Sequence, residues 1–496
     1  MIYLGSLPSG IDQDEAMAGY LAYTTYTEGV DITGYHNPVY FEAWGNGMNA
    51  LEIYLMIPLF QLFGMSDLTV RLPQAIIACA TLPVFYLILK RIFDEKTAMI
   101  GLFLLVINPW HIMMSRWALE SNLAPAFLFF GLYAFILALE KHPAYYLLSA
   151  FLYGLSLYTY AILWLVVPII LVLQILYALL MKRARITWYT AGFVVLLGLI
   201  ALPLLVLNVV NHYWIPEIKT AWFSIPKLGS WRSAELRLGN LLGFNTISNL
   251  WSMLVKQSDT GIRSSFPAYG LYYMFSLPII LLGVVETVQD WIKSVREKRF
   301  ELKTFALIQL LAALIVCLLI SGINVNRANC LHLPLILFCA VGVSKLTSLS
   351  WKAIPRTVLA LYCISFLAFT GYYFGHGQYD LSSYYRPGTK EAIFWAQENT
   401  DEPIVCRMHA RYSKVLYYNR MSLEDYHNTV IYESPYYPDP TAFGQFVFEF
   451  VHTEEISAPV YITEDDEAQR YEDAGYIIEP FDRMVVAYLP GHVDTD

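Results

Sequence analysis

Charge is scarce in this chain. Of its 496 residues only 15% are charged and 57% are hydrophobic, whereas about a quarter of the residues of an ordinary soluble protein are charged. That shortage excludes a wholly soluble chain of this length, and the bulk must sit in lipid. Lys and Arg are missing altogether from residues 1–69, which hold eight carboxylates. Cysteine is sparse too: five of six (Cys79, Cys317, Cys330, Cys339, Cys363) lie in apolar segments and only Cys406 in the tail, so no disulfide can form within the tail. No Asn-x-Ser/Thr sequon, CxxC, HExxH, GxGxxG, P-loop or GxSxG pattern occurs, which removes the usual support for metalloprotease, nucleotide-binding and serine-hydrolase readings. No nucleic-acid partner is expected.

What is present divides into two bodies. Residues 375–496 carry 22 acidic and 8 basic side chains, leaving 19 and 24 for residues 1–374. Apolar runs predict spanning helices at 70–90, 97–112, 122–140, 143–160, 162–181, 187–210, 269–289, 304–321, 331–349 and 355–374, each near the roughly 20 residues that cross a bilayer. Fifteen of the 24 cations before residue 375 fall in the connections holding Lys90, Arg91 and Lys96; Lys141; Lys182, Arg183 and Arg185; Lys293, Arg296, Lys298, Arg299 and Lys303; and Lys345, Lys352 and Arg356. The positive-inside rule makes that face cytoplasmic. Residues 1–69, the loop 211–268, the turn near 322–330 and the tail are then extracytoplasmic, in a multi-pass plasma-membrane protein. The run 51–63 is too short to span and is expected as a helix along the outer interface. An exported segment 1–69 further implies a preceding helix, or a natural start other than Met1. The expected architecture is an α-helical polytopic membrane domain, 70–374, followed by an extracytoplasmic α/β domain, 375–496, with helices at 389–399 and 466–474 and strands at 403–408, 459–464 and 482–489.

Three polar clusters lie at the predicted outer boundary. IDQDEA (11–16) offers adjacent carboxylates, Asp14 and Glu15. INPWHIMMSRWALESN (107–122) carries His111, Arg116 and Glu120, the last two spaced to share a face if the segment is helical. INVNRANCLHLP (323–334) has Arg327 as its only cation, and arginine can bind phosphate oxygens in a bidentate fork. A hydroxyl is a poor nucleophile until a positioned carboxylate takes its proton, and a phosphate leaves more readily when cations neutralise its charge. Together the clusters suit an anionic lipid headgroup and an activated nucleophile.

The order of Pro8, Gly10 and Asp14–Glu15–Ala16, then Leu62–Gly64 with Arg71–Pro73, then Ser115–Glu120 resembles the C superfamily of membrane glycosyltransferases (GT-C), and within it family 39: protein O-mannosyltransferases and the aminoarabinose transferases that modify lipid A. The resemblance covers most of 8–374 in order and hydropathy, with the motif matches inside 8–120. It implies a polyprenyl-phosphate sugar donor, an extracytoplasmic acceptor and an inverting single displacement. It makes Asp14 the base with Glu15 in support, places Glu120 as a second acidic residue, and leaves Arg116 and Arg327 for the donor phosphate. The family's first transmembrane helix does not precede the acidic loop, and EAWGNGMNAL (42–51) stands in place of its His/Lys-Pro-Pro-Leu stretch. The C-terminal domain resembles no named family.

Each feature also has a structural reading. Asp14 and Glu15 suit the first turn of any helix, Arg116 and Glu120 a plain i, i+4 bridge, Arg327 a lipid-headgroup contact, and Trp110 with His111 an interfacial anchor. Most of the 37 tyrosines and 28 phenylalanines are expected to face lipid or form belts. Loop 211–268, with Lys219, Lys227, Arg232, Arg237, Lys256 and Arg263, covers the donor phosphate or lies as an amphipathic layer on the membrane. No cofactor is required; a divalent metal, if used, would favour the acidic opening loop. A transporter or flippase of lipid-linked sugars and a non-catalytic assembly partner remain as alternatives, although the first usually places its charges near the bilayer midplane.

Overall fold

The computed structural model describes residues 2–184, 186–213, 215–229, 240, 243–259, 261–320, 322–351, 353–407, 412–433, 439–449 and 456–493. Arg185, Arg232, Arg237, Lys352 and the last residue of the strand expected at 403–408 lie outside them. The chain forms two compact units: Met1–Pro73, Leu207–Trp231 and Gly375–Asp496 make one, and Gln74–Val206 with Arg232–Phe374 make the other.

A helix stands at each of the ten positions where a span is expected, and the chain is an α-helical, multi-pass membrane protein. Among the described residues six helical segments are long and apolar enough to cross a membrane: Asp67–Ile92, Glu120–Glu140, Leu163–Leu180, Trp188–His212, Asn329–Thr347 and Ala353–Tyr373. Others are shorter or more polar. The run expected as one span over 97–112 is broken, because Asn108 caps a new helix by accepting from the His111 N–H at 3.0 Å and Pro109 opens that helix, a residue that fits a first helical position but not an interior one. The helix expected at 269–289 occupies Ser276–Arg296 instead; Gly270 and Tyr273 adopt left-handed φ values of 71° and 66° and keep the preceding segment in turns.

In the second unit, helices Ser276–Arg296 and Asn329–Thr347 meet backbone to backbone. A Cβ on Gly342 would lie 2.0 Å from the Ile279 carbonyl oxygen, and one on Gly283 1.9 Å from that of Phe338. Small residues permit this approach, which substitutes for the hydrophobic drive that lipid removes. Neutral polar pairs complete the packing, among them Tyr272 with His332 and Tyr153 with Gln174. Tyr153 and Tyr373 are among the largest fully buried side chains, so these tyrosines are core residues and not lipid-facing belts.

The first unit opens with helix α1, Gln13–Thr27, followed by α2, Ala50–Phe63, and α3, Asp67–Ile92, which begins in this unit. Asp12 caps α1, and the Glu15 carboxylate accepts in return from the Asp12 N–H at 3.1 Å, forming a capping box. α1 is buried over most of its length and packs on α2 and on helix Tyr412–Asn419. Gly19 makes that contact close: a Cβ there would stand 2.8 Å from the Tyr417 ring. Further bonds tie the opening segment to the tail, including Tyr20 Oη to the Met421 carbonyl (2.8 Å), Tyr417 Oη to Asp67 (3.0 Å) and the Leu423 N–H to Glu28 (3.0 Å).

The tail contains a mixed sheet. Its strands are β1 Ile404–Arg407, β2 Ala442–Phe443, β3 Phe446–Glu449, β4 Val460–Glu464, β5 Ile477–Phe481 and β6 Met484–Tyr488, in the order β2-β3-β1-β4-β6-β5. β1 is parallel to β3 and β4, with Val405 opposite Tyr461, and β6 pairs antiparallel with β4 and β5. Strands β1, β4 and β6 are buried along their whole length, as central strands covered on both faces must be. The core gathers Val405, Tyr461, Tyr471, Tyr476 and Ala487. The expected helix 389–399 and strands near 403–408, 459–464 and 482–489 are found within a residue or two; the helix expected over 466–474 is Ala468–Asp473, preceded by a 3-10 turn. Gly388, before helix Thr389–Asn399, has φ +87° and lies so near Phe481 that a Cβ would sit 1.7 Å from its carbonyl oxygen, a site only glycine fits.

Candidate active site

The acidic opening loop is held by the first cation in the sequence. Arg71, fully buried near the start of α3, donates from Nε and Nη2 to the two carboxylate oxygens of Glu15, each at 3.0 Å. Its remaining N–H groups reach the carbonyls of Gly10 (2.6 Å), Pro8 (2.9 Å) and Leu4 (3.3 Å). Its guanidinium lies over the Tyr385 ring, 5.5 Å from the centroid. Arginine alone among side chains offers five donors in a fixed fork, and here they fix both the carboxylate and the path of the loop.

Glu15 is thereby fully enclosed, with oxygens engaged by Arg71 and the Asp12 N–H. It is a positioning residue for the loop. Asp12 is 2% exposed and spent on the cap. Asp14, between them on the first turn of α1, is only partly buried, so of the three carboxylates it is the one whose surroundings leave it accessible. Lys414 stands below this hub, donating to the Tyr385 carbonyl at 3.0 Å. Burial pushes its amine down to about 7, against the pull of Asp12, Glu15 and Asp67 and aided by repulsion from Arg386. Arg386 itself pairs with Glu464.

Arg116, Glu120 and Arg327 belong to the second unit. The spacing argument for Arg116 and Glu120 fails, because the helix Pro109–Met114 ends before Arg116 and Glu120 starts a 3-10 turn, Glu120–Leu123. Asn122 stabilises the break by donating to the Trp117 carbonyl at 3.1 Å. Arg116 is 3% exposed and its guanidinium lies over Tyr373 and Phe374, at 5.8 and 5.7 Å. Arg263 covers the Trp117 ring at 4.9 Å, and the buried Trp117 Nε1–H finds no hydrogen-bond acceptor among the described residues. Arg327 occupies a half-buried turn, where its guanidinium reaches the Gly322 carbonyl at 3.3 Å.

Asn329 links the two segments that carry these cations. Its amide donates to Asn122 Oδ1 (2.9 Å), the Ser121 carbonyl (3.0 Å) and Ser121 Oγ (3.2 Å), and its own Oδ1 accepts from Trp110 Nε1 at 3.3 Å. Trp110, 3% exposed, is therefore a core residue and not an interfacial anchor. Lys414 and Asn329 escape a motif reading, since each acts through partners far away in sequence. Arg71 was signalled twice, by its place in the Arg71–Pro73 motif and as a lone cation after 70 residues without any, but neither signal named Glu15 as its partner. Among the described residues no group of three or more His, Cys, Asp or Glu side chains is placed to hold a metal ion.

Residues 51–212 match the family described as dolichyl-phosphate-mannose-protein mannosyltransferase. The chain resembles the C-superfamily membrane glycosyltransferases. Its fold is similar to that of ArnT from Cupriavidus metallidurans bound to undecaprenyl phosphate, at 13% identity and TM-score 0.56 over 97% of this chain and 95% of that one. The apo state of the same protein gives 14% identity and TM-score 0.57, over 96% and 93% of the two chains. The oligosaccharyltransferase of Archaeoglobus fulgidus in its apo form shares 13% identity and TM-score 0.52, over 94% of this chain and 68% of that one. No curated protein matches the sequence. The likeness in fold to these solved structures thus extends over nearly the whole chain, the tail included.

Proposed function

We propose that this chain is a glycosyltransferase that moves a sugar from a polyprenyl-phosphate-linked donor to an extracytoplasmic acceptor. The observation that carries the reading is Asp14: a partly exposed carboxylate on a helical turn immobilised by Glu15 and Arg71, in a chain of C-superfamily fold. In the reaction Asp14 takes the proton of an acceptor hydroxyl as its oxygen bonds to the anomeric carbon. The bond from that carbon to the phosphate oxygen breaks from the opposite side, its electron pair stays with the phosphate, and the configuration inverts. Arg116 and Arg327 neutralise the phosphate, and Glu120 serves as the second acidic residue. The Trp117 N–H, next to Arg116 in sequence and on the ring that Arg263 covers, has no acceptor among the described residues and supports anion binding there, since a buried donor without an acceptor costs about 1–3 kcal/mol that a ligand oxygen recovers.

The test uses membranes containing the full chain and a panel of radiolabelled polyprenyl-phosphate sugars. Transfer from one of these donors, with a raised donor KM in Arg116→Ala and Arg327→Ala, supports the reading. Absence of turnover with every donor overturns it in favour of a transporter or an assembly partner.

A further inference from the structure

The cation-free opening segment and the acidic tail meet around an open cavity of about 280 Å³, close to the lower end of the roughly 300–1,000 Å³ usual for small-molecule sites. Ser9 and Gly10 of the opening loop form one wall, and Asp67, Tyr418, Glu391 and Asp482 supply its other polar groups. All belong to the first unit. The mouth is accessible: Ser9, Glu391 and Asp482 are exposed, and Asp67 and Tyr418 are partly so. Two close approaches fix the walls. A Cβ on Gly10, at φ +83°, would stand 2.5 Å from the Tyr385 carbonyl oxygen, and Gly388 presses the start of helix Thr389–Asn399 onto the Phe481 carbonyl. A cavity held in this way is formed before its ligand arrives, which spares the cost of ordering it.

The charge around the cavity is negative. Asp67 accepts from Tyr417 Oη, but Glu391 and Asp482 make no ion pair and no side-chain hydrogen bond among the described residues. Lys390 stands at the rim with its ammonium over the Phe394 ring, 6.0 Å from the centroid and on the next turn of its own helix. The Tyr418 hydroxyl also lacks a hydrogen-bond partner among the described residues. Burial, and then the charge of Asp67, push its pKa well above the usual range, so it meets a ligand as a neutral hydroxyl whose oxygen can accept. Tyr418 and Phe481 add aromatic surface, which attracts organic cations. Among the described residues the carboxylates do not form a group able to hold a metal ion. A longer cation that reaches them one at a time needs no such convergence.

We infer that this cavity binds an organic ammonium group through Glu391, Asp482 and the Tyr418 hydroxyl, with Asp67 adding negative charge. The ammonium belongs to a free polyamine or to a lysine side chain of a polypeptide, which share this chemistry. The inference does not rest on the transferase reading. Gly10, whose carbonyl Arg71 holds, is part of the wall, so an occupied cavity adds a further restraint to the loop that leads to Asp14.

Isothermal titration of the full-length protein in phosphatidylcholine nanodiscs, with empty nanodiscs as the blank, tests the inference. The probes are spermidine and acetyl-Gly-Lys-Gly-amide; the same peptide with norleucine in place of lysine, and Mg²⁺, are the competing chemistries. At least one amine should bind, and Asp482→Asn and Glu391→Gln should each weaken it about fivefold. Asp482 holds φ 54° in the turn between β5 and β6, a conformation that asparagine tolerates, so this change does not threaten folding. Tyr418→Phe, which keeps the ring, should lose less. Binding of spermidine alone assigns the site to a free polyamine, and binding of the lysine peptide assigns it to a polypeptide side chain. Binding of neither amine, tighter binding of Mg²⁺ than of either, a norleucine peptide that binds as tightly as the lysine one, or an affinity unchanged in both acidic variants overturns the inference. Each of these results leaves the transferase reading standing, and a failure of transfer from every donor leaves the ammonium site.

Discussion

The two units hold themselves together by different means. The first carries buried cations whose partners are distant in sequence: Arg71 with Glu15, Arg386 with Glu464, Arg407 with Glu449, and Lys414 with the Tyr385 carbonyl. The second relies on close backbone approach at Gly283 and Gly342 and on neutral hydrogen bonds such as those of Asn329. Ion pairs among its described residues, such as Arg91 with Glu140 and Lys345 with Glu286, are at least a quarter exposed. The difference teaches that precise hydrogen bonding to buried cations fixes the opening segment of the first unit, whereas the helices of the second pack chiefly through small residues and amides.

The largest expected effect comes from breaking the first unit's hub. Arg71→Ala leaves Glu15 buried without its cation and should cost about 3–5 kcal/mol, read as a lowered denaturation midpoint and as new proteolytic cleavage within residues 4–15. Arg71→Lys should be intermediate, because a lysine cannot supply the fork. An unchanged midpoint in Arg71→Ala would mean that the loop is held by something else. In the second unit, Gly342→Ala places a Cβ against the Ile279 carbonyl and should cost about 1–3 kcal/mol, seen as a lower midpoint with the opening loop still protected from protease.

A pH-dependent effect separates the units further. Lys414 is pushed down from its ordinary 10.5 to about 7. Unfolded, the amine keeps its proton to pH 10.5; folded, it loses it near 7, so between those values the unfolded state binds more protons and stability rises with pH. The destabilisation is fully present below pH 7 and gone above 10.5. Lys414→Met should therefore be most stabilising at low pH, with the gap to wild type closing at up to about 1.4 kcal/mol per pH unit across the window. A gap independent of pH would contradict this.

How much of this was legible in the sequence follows from the same contrast. The helices of the second unit announce themselves, because apolar length is what a bilayer demands. Their interruptions were harder: the Asn108–Pro109 break sits inside an apolar run, and hydropathy does not register a cap. Strands β1, β4 and β6 were readable as β-branched and aromatic runs; β3, Phe-Val-Phe-Glu, has the same composition and was still not expected, while the two-residue β2 and the two helices over 412–429 carry no such signature. Within the candidate site, Asp14 was visible from motif order. The buried role of Glu15 was less so: its place three residues after Asp12 fits a capping box, but its burial is decided by Arg71, 56 residues away.

The central claim is that the hub holds Asp14 as the catalytic base, and one comparison tests it most directly. Transfer from a saturating radiolabelled polyprenyl-phosphate sugar is measured in membranes holding equal amounts of wild-type protein and Asp14→Asn, with their denaturation midpoints taken alongside. The account predicts a fall of about 10²–10⁴-fold in transfer rate at an unchanged midpoint, since Asp14 takes no part in the Arg71 fork. Equal transfer by the two proteins would contradict it.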